Sequence, residues 1–192
     1  VSMTNKQLTK YFDLIVRGGT IATTDTKEAC DIGIQNGTIL ELGDLSQRSS
    51  VETIDAKGLH ILPGIIDSQV HFREPGNELK EDMLTGSKAA ILGGVTTVFE
   101  MPNTSPPTTT EDAFKDKLRR AKGRYHCDYG FFVGASPENI PSLPALEKMP
   151  GCSGVKIFMG SSTGSLLIPT DELLSRVLES GVRRAAVHSE DE

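Results

Sequence analysis

Residues 12–62 read as short strands separated by turns. DLIVRGGTIAT is a β-rich run broken at Gly18-Gly19. CDIGIQNGTILELG alternates Ile32 and Ile34 ahead of Asn36-Gly37, then continues with Ile39 and Leu42. Asn-Gly between alternating segments is a strong hairpin signal, because a tight primed turn needs two residues that accept positive φ. Residues 1–62 are therefore expected to form a small antiparallel β-sandwich unit with a structural role.

From Ile61 the pattern changes. ILPGIIDSQVH is nearly continuous in apolar residues, as in a parallel strand buried on both faces. Leu79–Leu92 reads as a helix ended by Gly93-Gly94. VTTVFEM is a second strand, and Thr110–Lys122 is a helix with Phe114, Leu118 and Ala121 on one face. CDYGFFVGA is a third strand, followed by a short helical segment near Leu143–Lys148. GVKIFMG is a fourth. Thr170 caps a helix through Leu178 that stops at Gly181, and RRAAVH is a fifth strand.

Strand then helix, repeated, means parallel βα units with right-handed crossovers. An open doubly wound sheet and a (β/α)8 barrel compete. Neither G-x-G-x-x-G nor G-x-x-x-x-G-K-[ST] occurs, so the phosphate fingerprint of a nucleotide-binding open sheet is missing. The chemically interesting residues, Asp67–Arg73, Met101–Asn103, Lys156 and His188, all fall at strand C-terminal ends, where barrel active sites lie. The expected class is α/β, with residues 63–192 forming the N-terminal part of a barrel. A whole barrel takes about 250 residues, and roughly five of its eight strands are present. The remainder is expected outside these residues, and the 192-residue chain alone is expected to be inactive.

Composition narrows the partners. The net charge is −6 and no basic face is evident, which argues against nucleic acid or an anionic membrane. A small-molecule substrate fits better, and it can be an anion if an arginine or two is placed locally. Neither a membrane-spanning apolar run nor a signal pattern is present. Cys30, Cys127 and Cys152 are far apart and odd in number, so no disulfide framework fits, and a cytoplasmic setting is expected.

Each candidate residue carries a plain reading beside a functional one. His71, at the end of a strand, can bind a metal or simply hydrogen-bond. Asp67 can support it from behind or cap the turn. Arg73 continues the 69, 71, 73 alternation if the strand stays extended. It can fork onto a substrate carboxylate or pair with Glu74 or Glu78. Asn103, between prolines in MPNTSPPT, can present its amide to a ligand or serve the turn. Lys156 is costly to bury as a cation. It is either ion-paired or snorkelling, or it has reacted with carbon dioxide to give an anionic carbamate. His188 ends the fifth strand, with ordinary hydrogen bonding as its plain reading. His60 and His126 lie at strand starts, where stability residues sit, and are excluded. SSTG, Ser161–Gly164, is a plausible loop over the site, and Glu100 receives no role.

Taken together, PGIIDSQVHFREPG, GVTTVFEMPNTSPPT, GVKIFMGSSTG and AVHSEDE resemble, in order and spacing, the cyclic amidohydrolases, most closely the dihydroorotases. The resemblance runs from about Tyr11 to Glu192 and covers the N-terminal half of such an enzyme. It implies a (β/α)8 barrel beside a small β-sandwich, one or two zinc ions, and reversible interconversion of L-dihydroorotate and N-carbamoyl-L-aspartate in pyrimidine biosynthesis. By position, it implies that His71, a carboxylated Lys156 and His188 bind metal, and that Arg73 and Asn103 hold the substrate carboxylate. Gln69 stands where the family has a second histidine, and its neutral amide oxygen is a poor zinc ligand beside imidazole. The proton-shuttling carboxylate is implied beyond residue 192. Allantoinases and hydantoinases resemble the same barrel but generally lack the Arg73 and Asn103 pair. A homo-oligomer is also expected. Non-catalytic homologues that scaffold aspartate carbamoyltransferase make that enzyme a candidate partner.

Overall fold

A computed structural model describes residues 11–160 and 166–190. The chain divides into two units, Val1–Pro63 and Gly64–Glu192. Among the described residues no helix is long and apolar enough to cross a membrane.

The first unit is one sheet of five strands: β1 (Tyr11–Ala22), β2 (Lys27–Gln35), β3 (Thr38–Gly43), β4 (Ser49–Asp55) and β5 (His60–Ile61). The Asn36-Gly37 turn forms as its composition demands, with φ of 50° and 71°, and closes the β2–β3 hairpin. The sheet is antiparallel on only one side of β1. Its partners β4 and β5 run parallel to it, because the chain returns to the same edge through connections rather than a hairpin. Gly18-Gly19 does not break β1; it marks a register shift within one long strand. Phe12, Ile15 and Leu45 form the buried centre of this unit.

The second unit is a curled parallel sheet of five strands in chain order. The strands are β6 (Ile65–Val70), β7 (Val95–Glu100), β8 (Asp128–Gly134), β9 (Cys152–Phe158) and β10 (Ala185–His188). Between them lie α1 (Met83–Leu92), α2 (Glu111–Ala121), α3 (Leu143–Leu146) and α4 (Asp171–Ser180). The caps follow from the sequence. Asp82, Thr110 and Thr170 each accept a backbone N–H from the third residue on. Acidic first turns in α2 and α4 complement the helix dipole. Leu79 lies outside α1, which starts only where Asp82 supplies the cap.

Packing decides which strands are covered. The core joins Phe114 and Ala121 of α2 to Phe131 and Val133 of β8 and Val155 and Ile157 of β9. Phe114 meets Phe131 edge-to-face at 6.3 Å. Every residue of β9 is buried. ILPGIIDSQVH divides between the two sheets. Its first part is β5 of the other sheet, and β6 is an edge strand with Ile65 and Ile66 56% and 60% exposed.

Candidate functional site at the strand C-termini

The parallel sheet sets His71 just beyond β6 and Asn103 just beyond β7, on adjacent strands. Their side chains meet, with His71 Nδ1 and Asn103 Oδ1 2.8 Å apart. An amide oxygen can only accept, so Nδ1 carries the proton and Nε2 keeps its lone pair. Burial lowers the His71 pKa, although the Asn103 bond opposes this, and the charges of Arg73, Lys156 and Lys117 depress it further. The ring is therefore neutral at pH 7. A histidine whose second nitrogen is anchored in this way is suited to ligating a metal.

Arg73 does not continue the strand. β6 ends at Val70, and Arg73 has φ of 59°, so the expected alternation of 69, 71 and 73 stops at the strand end. The acids that could have neutralised it are engaged elsewhere. Arg124 bonds both oxygens of the buried Glu74, at 2.6 and 3.0 Å, and Met83 N–H also donates to it. Glu78 accepts from the Gly76 N–H. Among the described residues Arg73 has no carboxylate within 4 Å, so its surface-pair reading is not what forms.

Lys156 and His188 occupy the other end of the sheet. Lys156 is 2% exposed inside β9, and burial alone lowers its pKa. No described acid pairs with it, and its Nζ lies 4.9 Å from the centre of the Phe158 ring. That ring in turn stands 5.8 Å from the His188 ring. The β9–β10 register pairs Phe158 with His188, which aligns the two groups. His188 Nε2 also sits 3.1 Å from Glu190 Oε1. Asp67 accepts from the Gln69 N–H at 3.0 Å within β6, and both residues are exposed. Ser161–Gly164 lies outside the described residues.

The donor set can be tested against zinc on its chemistry. Among the described residues no three His, Cys, Asp or Glu side chains cluster as a metal site. In chemistry alone, two imidazoles and a carboxylated Lys156 would be the kind of donors zinc takes. The buried Lys156 amine has a lowered pKa and no acid partner, and reaction with carbon dioxide would convert it to a carboxylate donor. His71 brings an oriented Nε2, and His188 a second imidazole.

Two further residues escaped the sequence reading. Lys117 and Glu100 are fully buried, 3.3 Å apart, behind the Met101–Asn103 segment. The signal was present: Lys117 falls on the same helical stripe as Phe114, Leu118 and Ala121.

A parallel βα sheet with polar groups gathered at its strand C-termini is the architecture of a barrel hydrolase. The chain belongs to the amidohydrolase family, whose model matches residues 60–179. It is 39% identical over 184 residues to a dihydroorotase of Methanosarcina acetivorans, covering 94% of this chain and 39% of that protein. It is 36% identical over 177 residues to an allantoinase of Deinococcus radiodurans, covering 92% and 39%. The L-hydantoinase of Arthrobacter aurescens superimposes with a TM-score of 0.86 at 31% identity, covering 94% of this chain and 41% of that one. The chain thus spans about two fifths of the length of these relatives.

Proposed function

We propose that the protein carrying this chain is a zinc-dependent cyclic amidohydrolase whose substrate bears a carboxylate, and that it interconverts L-dihydroorotate and N-carbamoyl-L-aspartate. One observation carries the reading. Asn103 holds His71 through its amide oxygen, which leaves the amide N–H2 to donate, while Arg73 stands nearby with no acid partner among the described residues. A guanidinium fork and an amide donor together suit a single carboxylate.

In this reading His71, His188 and carboxylated Lys156 hold the metal. The amine of Lys156 adds to carbon dioxide and loses a proton, leaving an anionic carbamate. When bound, zinc supplies Lewis acidity for the ring carbonyl and brings the pKa of water down to about 7. Gln69, exposed on β6, contributes at most a weak neutral oxygen. Arg73 and Asn103 fix the ring by its carboxylate. The depressed pKa of His71 keeps its ligating nitrogen unprotonated at neutral pH. Hydrolysis then breaks the ring C–N bond, with the nitrogen taking up a proton. We assign that proton transfer to no residue of this chain.

The relatives called allantoinase and hydantoinase support a second reading, a cyclic amide without the carboxylate. Assay of the whole protein with L-dihydroorotate, allantoin and hydantoin separates the two. Dihydroorotate is expected to be opened at least a hundredfold faster than the others, and a preference for either of the others refutes the carboxylate assignment. Less than one equivalent of zinc in the whole protein would instead favour a scaffolding homologue. The 192-residue chain alone is proposed to be inactive.

A further inference from the structure

Burying an ion pair is expensive, and an apolar pair of similar size is often as stable or more so. Glu100, the last residue of β7, and Lys117 of α2 are both 0% exposed. Their contact is not an aligned hydrogen bond. Lys117 Nζ stands 3.3 Å from Glu100 Oε2 but donates to the Met101 carbonyl at 3.0 Å, and neither Glu100 oxygen has a well-aligned hydrogen bond, although the Phe72 backbone N–H also favours its charged form. The acid neutralises the lysine, and the lysine holds the backbone. The same Met101 offers its N–H to Val70 O at 3.0 Å, immediately before His71, and its carbonyl leads into Pro102 and Asn103. Lys117 also lies 5.2 Å from the centre of the Phe131 ring, in the core that joins α2 to β8. The Met101 peptide is thus tied on one side to the chain bearing His71 and on the other to a helix.

We propose that the buried Glu100–Lys117 pair is a positioning device: it fixes the Met101 peptide, and through it the Asn103–His71 contact, so that the His71 ring presents Nε2 in one orientation. This deepens the proposed function and rests on His71 being a site residue. Its test reads the ring itself rather than turnover. The charge of Lys117 is among those that depress the His71 pKa, consistent with its lying behind the site.

The experiment is long-range 1H–15N correlation of the imidazole nitrogens at pH 7.5, with His71 assigned by His71→Gln. The native protein is expected to show a single Nδ1–H tautomer. The double variant Glu100→Leu/Lys117→Met lacks the bond to Met101 but leaves no buried charge. It is expected to melt within a few degrees of the native protein while the His71 signals move to the mixed-tautomer average of a free imidazole. Lys117→Arg, which retains a donor and a charge, is expected to restore the single tautomer. An unchanged His71 tautomer in the folded double variant overturns the proposal. Should that variant fail to fold, Glu100→Gln/Lys117→Met is read with the same expectations. In the unmodified protein a slowly exchanging Lys117 ammonium signal is required, and its absence overturns the proposal without any variant. Failure of turnover with a responsive His71 ring would refute the substrate reading alone. An unresponsive ring with intact turnover would refute the positioning role alone.

Discussion

Arg124 grips both carboxylate oxygens of Glu74, fifty positions away in the chain, and so removes the immediate neighbour of Arg73 as its partner. The contact ties the loop after β6 to the segment after α2. Glu74→Gln keeps the shape but loses the charge-assisted bonds, whose usual worth is about 1.5–3 kcal/mol. The melting temperature of that variant is expected to fall by several degrees, and thermal denaturation of the chain checks it. No change would mean that the bidentate contact contributes nothing to stability.

Arg73→Met tests the fork. In the whole protein it is expected to weaken dihydroorotate by about ten- to a hundredfold, the equivalent of one charged hydrogen-bonding group. The melting temperature should stay the same, because Arg73 has no ionic partner among the described residues. The ratio of kcat/KM between the native protein and the variant measures the effect. Equal values on dihydroorotate would leave the carboxylate without its proposed holder.

Gly86→Ala should destabilise although alanine is the better helix former. A Cβ at this position would lie 2.6 Å from Cδ1 of Phe72, which is itself buried between His71 and Arg73 in the chain. The gain in helix propensity is about 1 kcal/mol, and overpacking typically costs about 1–3 kcal/mol. Either α1 or Phe72 must move. Urea unfolding of the variant is expected to show a lower midpoint, and a raised midpoint would show that the site loop yields without cost.

Lys117→Met alone should behave quite differently from the charge-free double variant. It leaves Glu100 buried without a cation, and breaking a buried pair costs about 3–5 kcal/mol. Burial already raises the Glu100 pKa from 4.5 to about 7 against the opposing pull of Lys117, and removing the lysine raises it further. A carboxyl whose folded pKa exceeds its unfolded value stabilises fully below the unfolded value. That contribution is lost as pH rises through the folded one. In the native protein the slope has fallen to half at pH 7 and the loss levels off about one unit higher, whereas in Lys117→Met it should continue well above that, at up to about 1.4 kcal/mol per pH unit. Chemical denaturation at pH 7, 8 and 9 tests this, and parallel curves for the two proteins would contradict it.

Local chemistry was legible wherever a short stretch of chain decided the outcome. The Asn36-Gly37 hairpin, the Asp82, Thr110 and Thr170 caps and the strand–helix alternation all depend on backbone preferences within a few residues. They could be read directly, as could the placing of His71, Asn103, Lys156 and His188 at or near strand C-termini. The tertiary structure decided which polar groups meet. Glu74 could have paired with Arg73 next to it and instead turns to Arg124. Lys117, on a helix, reaches the peptide after a strand, and Asn103 closes on His71 rather than on its own turn. It also decided that β9 is buried throughout, between β8 and β10. Hydrogen bonds and burial between distant segments depend on where the sheet order sets those segments, and periodicity along the chain carries no record of that order.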